Sequence, residues 1–395
     1  MFSHKIYAFN ALAVFLTLGV TAGAQTSAPY PAQKVGPYAV ELRVPEEGLF
    51  AEEETDVEFR VTDTRQNDPV QGAPPVVRAK VAARVTMPAM PAMPPQEPKT
   101  HSEGVPGDYG VVLYFPHGGD YQLDLTITPP DDKAFTASFK VPVKDASEGK
   151  NRKPRPKPYT LEVRSRPATP RAGEPAELAL VLRSRETKQP VTEFETVHEQ
   201  KLHLIIVTKD LRLFAHEHPD LGADGTFTLR YTFPVGGDYR LFADVAPRGA
   251  GSQVLMQPFK VAGTPPAGAE TLKPVTLMEP VGGVKVAMLT DSEKLPAGRM
   301  MPLTFSIRDA KSNEPITDLQ PWLGAMAHLI LIHEDATTFV HSHPDESAPA
   351  NGHNGTLTFL ARFPKPGLYK GWIQFQRKGE VQTVPFVVAA KARGG

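Results

Sequence analysis

Residues 227–245 read Phe227-Thr-Leu-Arg-Tyr-Thr-Phe-Pro234, then Val-Gly-Gly-Asp-Tyr239-Arg-Leu-Phe-Ala-Asp-Val245. Phe227, Leu229, Tyr231 and Phe233 fall on one face of an extended chain, and so do Tyr239, Leu241, Ala243 and Val245. Alternation over two short runs, joined by a Pro/Gly turn, predicts a β-hairpin with one face buried. The pattern occurs twice more. It is Tyr109-Gly-Val-Val-Leu-Tyr-Phe-Pro116 with His-Gly-Gly-Asp-Tyr121-Gln-Leu-Asp-Leu-Thr-Ile127, and Leu357-Thr-Phe-Leu-Ala-Arg-Phe-Pro364 with Lys-Pro-Gly-Leu-Tyr369-Lys-Gly-Trp-Ile-Gln-Phe375. Pro116, Pro234 and Pro364 lie 118 and then 130 residues apart, which is domain spacing and too long for a solenoid repeat.

Working outward, each block is preceded by alternating segments. Leu161 and Val163, then Leu178, Leu180 and Leu182, open the second; Val284, Val286 and Met288, then Leu303, Phe305 and Ile307, open the third. Each closes on a last strand at Phe139–Val143, Phe259–Val261 or Phe386–Val388. About seven strands per ~110-residue unit, without a convincing helix, predict an all-β chain of three tandem immunoglobulin-like β-sandwiches. The Gly-x-Tyr opening each penultimate strand resembles a tyrosine corner. The expected boundaries are sandwiches at 37–143, 159–262 and 275–390, a basic Pro-rich linker at 144–158 and a softer linker at 263–274.

Residues 1–24 read as a signal peptide: His4 and Lys5, a short apolar run from Ile6 to Val20, and Ala22-Gly23-Ala24 as the cleavage pattern. The run is shorter than the ~20 residues of a spanning helix, so cleavage and a periplasmic or secreted product are expected, with no transmembrane span remaining. Lys plus Arg number 43 and Asp plus Glu 44, a balance that argues against a nucleic-acid partner. There is no cysteine, so any metal must be held by His, Met, carboxylate or backbone groups.

Six of the twelve histidines form a pattern. His203, His216 and His218, and again His328, His341 and His343, follow His-x12-His-x-His, each closed by a proline. Turns at Lys209-Asp210 and Glu334-Asp335 would set His203 opposite His216 and His328 opposite His341, with His218 and His343 as same-face diagonal neighbours. Three neutral imidazoles with an open fourth position suit zinc or Cu(II). Such affinity should fall as pH drops through the imidazole range near ~6.5. His198, His333 and His353 are weaker candidates as secondary ligands, and Glu217, Asp220, Asp345 and Glu346 as groups orienting imidazole N–H.

The first unit lacks the triplet. It carries Met87-Pro-Ala-Met90-Pro-Ala-Met93-Pro-Pro instead. In polyproline II a three-residue period would align the thioethers of Met87, Met90 and Met93 on one edge, a Cu(I)-selective array that His101 or His117 could complete. Gap-filling by methionine is the equally ordinary alternative.

The Met-Pro-Ala-Met-Pro-Ala-Met-Pro run, Gly107-Asp-Tyr-Gly and the Phe-Pro-x-Gly-Gly-Asp-Tyr stretch resemble YtkA-like and FixH-like domains. The resemblance implies exported or membrane-attached immunoglobulin-like modules associated with copper handling. Together with the histidines it leads to an exported copper- or zinc-binding protein for periplasmic metal homeostasis or handover, with an envelope protein as partner. The competing reading is a non-catalytic envelope interaction or spacer array with structural histidines. Nothing marks an enzyme: nucleophile elbow, phosphate-cradling loop and HExxH are all missing from the sequence.

Overall fold

The Phe-Pro blocks are strand pairs, but they are not hairpins. A computed structural model of the chain describes residues 30–392 apart from 46, 69–71, 92, 150–156, 249, 251, 269–270, 292–294 and 345–353. In it the strand before each Phe-Pro and the strand after it belong to different sheets. Thr226–Thr232 pairs with Pro175–Ser184, whereas Gly237–Val245 pairs with Leu202–Thr208 and Gln253–Val261. The expected hairpin is therefore a corner between two layers. The aromatic residue of Phe-Pro causes it: Phe115, Phe233 and Phe363 are fully buried between the layers, each against the tyrosine that follows, at 4.6, 5.1 and 5.0 Å between ring centroids. Gly119, Gly237 and Gly367 take positive φ at the start of the second strand, a conformation that costs glycine little. Tyr121, Tyr239 and Tyr369 then donate their hydroxyls to the carbonyls of His117, Val235 and Lys365, at 2.9, 2.9 and 2.8 Å. All three expected tyrosine corners are present.

The chain is thus three tandem immunoglobulin-like β-sandwiches. The first has sheets Gln33–Val35, Tyr38–Arg43, Glu54–Asp63, Asp108–Tyr114, Thr100–Ser102 and Leu49–Phe50, Phe135–Lys144, Gly119–Thr128, Lys80–Thr86, in those spatial orders. In the second, Tyr159–Arg166, Pro175–Ser184, Thr226–Thr232 and Asp220–Leu221 face Phe214–Glu217, Leu202–Thr208, Gly237–Val245 and Gln253–Val261. In the third, Val284–Met288, Met300–Asp309 and Thr356–Arg362 face a sheet centred on Gly367–Arg377, which pairs with His328–His333, Glu380–Ala390 and Leu319–Gln320; Phe339–Ser342 extends it at His328–His333. Each sandwich has its own apolar core, and strands lining a single core alternate buried and less buried residues, as in Phe135–Lys144.

Two of the longer strands lose that alternation along their whole length. Every residue of Leu202–Thr208 and of His328–His333 is buried. Leu204, Ile206, Leu329 and Leu331 face their own cores. Ile205, Val207, Ile330 and Ile332 point the other way into a fourth cluster, shared by the second and third sandwiches with Leu211, Ala336, Phe242 and Trp372. Each of these eight residues has its counterpart at the equivalent position of the other unit, so the two sandwiches pack face to face about an approximate two-fold axis. The axis also relates two ring stacks, Phe214 on Trp372 at 4.5 Å and Phe242 on Phe339 at 5.2 Å.

The signal segment 1–24 lies outside the described residues, as do 150–156 of the expected 144–158 linker. Ahead of that gap Ala146–Gly149 forms one helical turn. No helix among the described residues is long and apolar enough to cross a membrane.

Candidate metal centre

Both histidine hairpins form, in a register two residues from the expected one. Ile205 lies opposite His216, and Ile330 opposite His341. The turns are wider than Lys209-Asp210 or Glu334-Asp335 alone would make them. Leu211 and Ala336 take positive φ and are buried in the shared interface, and the Thr208 hydroxyl accepts the N–H groups of Arg212 and Leu213. An even slip keeps every side chain on its face, so the histidines still converge.

Within each triplet one ligand nitrogen per residue lies within 4.8 Å of the others. His203 Nδ1 stands 3.0 Å from His216 Nε2 and 3.2 Å from His218 Nε2. His328 Nδ1 stands 3.4 Å from His341 Nε2 and 3.0 Å from His343 Nε2. Nitrogens at tetrahedral positions ~2.0–2.1 Å from a zinc ion would be about 3.3 Å apart.

The hydrogen bonds behind these rings fix their tautomers. His203 Nε2 faces the carbonyl of Val197 and His328 Nε2 that of Trp322, both at 3.0 Å. A carbonyl only accepts, so both Nε2 atoms carry the proton and both Nδ1 atoms present a lone pair. His216 Nδ1 donates to Gln374 Oε1 and His341 Nδ1 to Asp244 Oδ2, each at 2.7 Å, leaving lone pairs on Nε2. Lone pairs therefore oppose each other across 3.0 Å in one triplet and 3.4 Å in the other. A shared cation relieves that opposition. Burial disfavours protons on His203, held at about 3, on His218, held at about 4, and on His216, His328 and His343, held well below the ordinary imidazole value, with neighbouring imidazoles adding repulsion. The donor set, neutral imidazoles with their outer N–H groups held, fits a borderline transition metal.

The groups orienting the middle histidines come from the opposite sandwich. Asp244 of the second holds His341 of the third, and Gln374 of the third holds His216 of the second. Aligned on the Phe-Pro anchors, Asp244 and Gln374 are the same position of the repeat. Burial works to raise the Asp244 carboxyl, but the His341 N–H and the Ser252 hydroxyl outweigh it and keep the carboxyl below its usual range. The two triplets adjoin, with His203 and His341 rings 5.5 Å apart and His216 and His328 rings 5.9 Å apart. His198, with φ +45, reaches from the second sandwich to stack on His343 at 3.6 Å. A cavity of about 960 Å³ between the three sandwiches opens onto His198, Asp244, His341 and His343, with Asp56, His101 and Glu103 of the first sandwich on its wall.

The other predicted residues are placed elsewhere. Met87 is buried and Met93 packs on the first core, while Met90 is 46% exposed. Met90 N–H donates to the Met87 carbonyl and Met93 N–H to that of Met90, so the run makes successive tight turns. Polyproline II has no such bonds, so the run does not take the expected polyproline II conformation. His101 is joined not by methionine but by Asp56 at 3.2 Å and Glu103 at 3.0 Å. His117 meets the Tyr121 hydroxyl, and His333 packs on Tyr369 with Nε2 facing the Pro366 carbonyl, both structural positions. His353, Asp345 and Glu346 lie outside the described residues. Sequence reading missed Asp244 and Gln374 as orienting groups. The available signal was the unbroken apolar run Leu204–Val207, since a strand buried on both faces needs two partners.

The family model described as Domain of unknown function (DUF8832) matches residues 158–263 and 279–392, and the YtkA-like model matches residues 32–126. A comparison with curated proteins finds no match. Among solved structures, the Escherichia coli adhesin FdeC is 13% identical, with 92% of this chain and 99% of that one covered and a TM-score of 0.20. A Ca2+-stabilised ice-binding adhesin of an Antarctic bacterium is 7% identical (89% and 73% covered, TM-score 0.22), and the chicken CNTN1 FN1–FN3 domains are 11% identical (89% and 97%, TM-score 0.16). Likenesses this low carry no functional argument.

Proposed function

We propose that this chain, which belongs to the Domain of unknown function (DUF8832) family through both of its histidine-bearing sandwiches, is an exported, non-catalytic metal-binding protein that buffers or hands over copper or zinc. The observation that carries the reading is the pair of opposed lone pairs in each triplet, fixed by carbonyl, amide and carboxylate acceptors behind the rings. A packed structural histidine would point one N–H at one acceptor; here four outer nitrogens are spoken for and the inner ones converge. The YtkA-like match of the first sandwich supports an envelope setting. The methionine run is left out of the centre, because Met87 is buried and Met93 packs on the first core while Met90 is exposed.

Calorimetric titration of the purified chain with Zn(II) and with Cu(II), beside His216→Ala/His341→Ala, tests the reading. Two equivalents are expected, both weakened severely in the double variant. A wild-type protein that binds neither ion would sink it.

A further inference from the structure

We infer that the two triplets are unequal by design: the His328/His341/His343 site fills first and holds its metal tightly, and the His203/His216/His218 site is the weaker, exchangeable one. The inference rests on the metal-centre reading and concerns the order of loading. What separates the sites is one position of the repeat. The third sandwich's middle histidine, His341, is held by the carboxylate of Asp244, and the second's, His216, by the neutral amide of Gln374. Both acceptors are anchored, Asp244 by the Ser252 hydroxyl at 3.1 Å and Gln374 through its Nε2 to Thr383 Oγ1 at 3.0 Å, which turns the amide oxygen toward His216.

A carboxylate behind an imidazole makes the ring a stronger donor and compensates the charge of the bound cation, whereas an amide only orients the ring. The site backed by Asp244 therefore gains both effects. Once it is occupied, a second divalent ion must enter a triplet whose rings lie 5.5–6.3 Å from those of the first, with no carboxylate among its orienting groups. Charge repulsion at that range, in a largely buried setting, lowers the second affinity further. The cavity between the three sandwiches reaches His341 and His343, which gives the tight site a route for loading. Asp244 and Gln374 are thus positioning residues that act in trans, each on the metal ligand of the neighbouring sandwich.

Zn(II) calorimetry on single-triplet backgrounds of the full chain tests this, with Co(II) absorption as a report on ligand geometry. His216→Ala leaves the third-sandwich site, and His341→Ala leaves the second-sandwich site. The first should bind about 10–100-fold more tightly than the second, the range that orienting groups command. Asp244→Asn should weaken binding by about that factor in the His216→Ala background and by less in the His341→Ala background, where Asp244 is the cross-strand neighbour of His203 but hydrogen-bonds no ligand. A general loss of structure would weaken both. Gln374→Glu should strengthen the site left in His341→Ala, a gain that misfolding does not produce. Equal affinities of the two backgrounds, or equal losses on Asp244→Asn, would overturn the inequality while leaving the metal centre standing. No binding by either background or by the wild type would remove both.

Discussion

If the centre is assembled across two sandwiches, metal affinity should be lost by a substitution that touches no histidine. Trp372→Ala is the sharpest such perturbation. The indole is 3% exposed, stacks on Phe214 at 4.5 Å with 17° between planes, and sits two residues before Gln374 on the same strand face. Truncating a buried Trp costs about 3–5 kcal/mol, since the opposing rings and Ile330 close the gap only partly. For the docked pair of sandwiches, about 220 residues over 158–263 and 279–392, that is a fall of roughly 6–20 °C in melting temperature. Both orienting bonds, His216 to Gln374 and His341 to Asp244, cross the same interface. Loosening it should cost each site about 10–100-fold in Zn(II) affinity. Leu303→Ala is the matched control: it is fully buried in the third core and outside the shared cluster, with an expected stability loss of about 2–5 kcal/mol. Thermal melts and Zn(II) calorimetry, run well below both transitions, give the two readouts. Wild-type affinity in a clearly destabilised Trp372→Ala protein would refute assembly in trans.

Other consequences are open to simple assays. Tyr239→Phe leaves the Val235 carbonyl without its phenol and should cost about 1–3 kcal/mol in urea unfolding, with the metal-binding stoichiometry unchanged. Burial opposes charge on His101, but Asp56 and Glu103 raise it to about 10, above its unfolded value. Its stabilising contribution is therefore complete below pH ~6.5 and disappears as pH rises through about 10, so the melting-temperature gap to His101→Gln should be widest near pH 6 and close by pH 10. A gap independent of pH would argue against that charge. His203 and His218 shift the other way, to about 3 and about 4. Protons should then compete with Zn(II) not near ~6.5 but between about pH 5 and 3, and affinity falling already between pH 7 and 6 would contradict the burial. From about pH 6.5 down to about 3–4 the metal-free protein should lose stability on acidification, because its unfolded chain takes up protons that the folded His203 and His218 refuse.

The repeat, the layered β architecture and the tyrosine corners are legible because they depend on alternation and on a few residues at fixed spacing, such as Gly237-Asp-Tyr239. The destination of the strands around Phe-Pro is not, since alternation is the same whether the next strand joins its own sheet or the facing one. The histidine triplets are legible by spacing, yet their register is hidden in Leu211 and Ala336, whose left-handed turns are set by burial against a neighbouring sandwich. Asp244 and Gln374 illustrate the deeper reason. Each is an ordinary polar residue in its own strand and acquires a role only when another part of the chain is docked on it. The methionine run shows the reverse, a suggestive local period that the core of the first sandwich redirects.

The face-to-face arrangement of the two histidine sandwiches is the geometry of a C2 homodimer, written into a single polypeptide. A homodimer with this interface would be held to one sequence on both sides, and its two centres would be identical by symmetry. Joining the halves through the short 263–274 linker removes that constraint and makes docking intramolecular, at an effective concentration that a short linker keeps in the millimolar range. The chain can then keep the shape complementarity of an isologous interface while its two ends drift apart chemically. Asp244 and Gln374, facing each other's histidines across the former axis, are where that freedom is written.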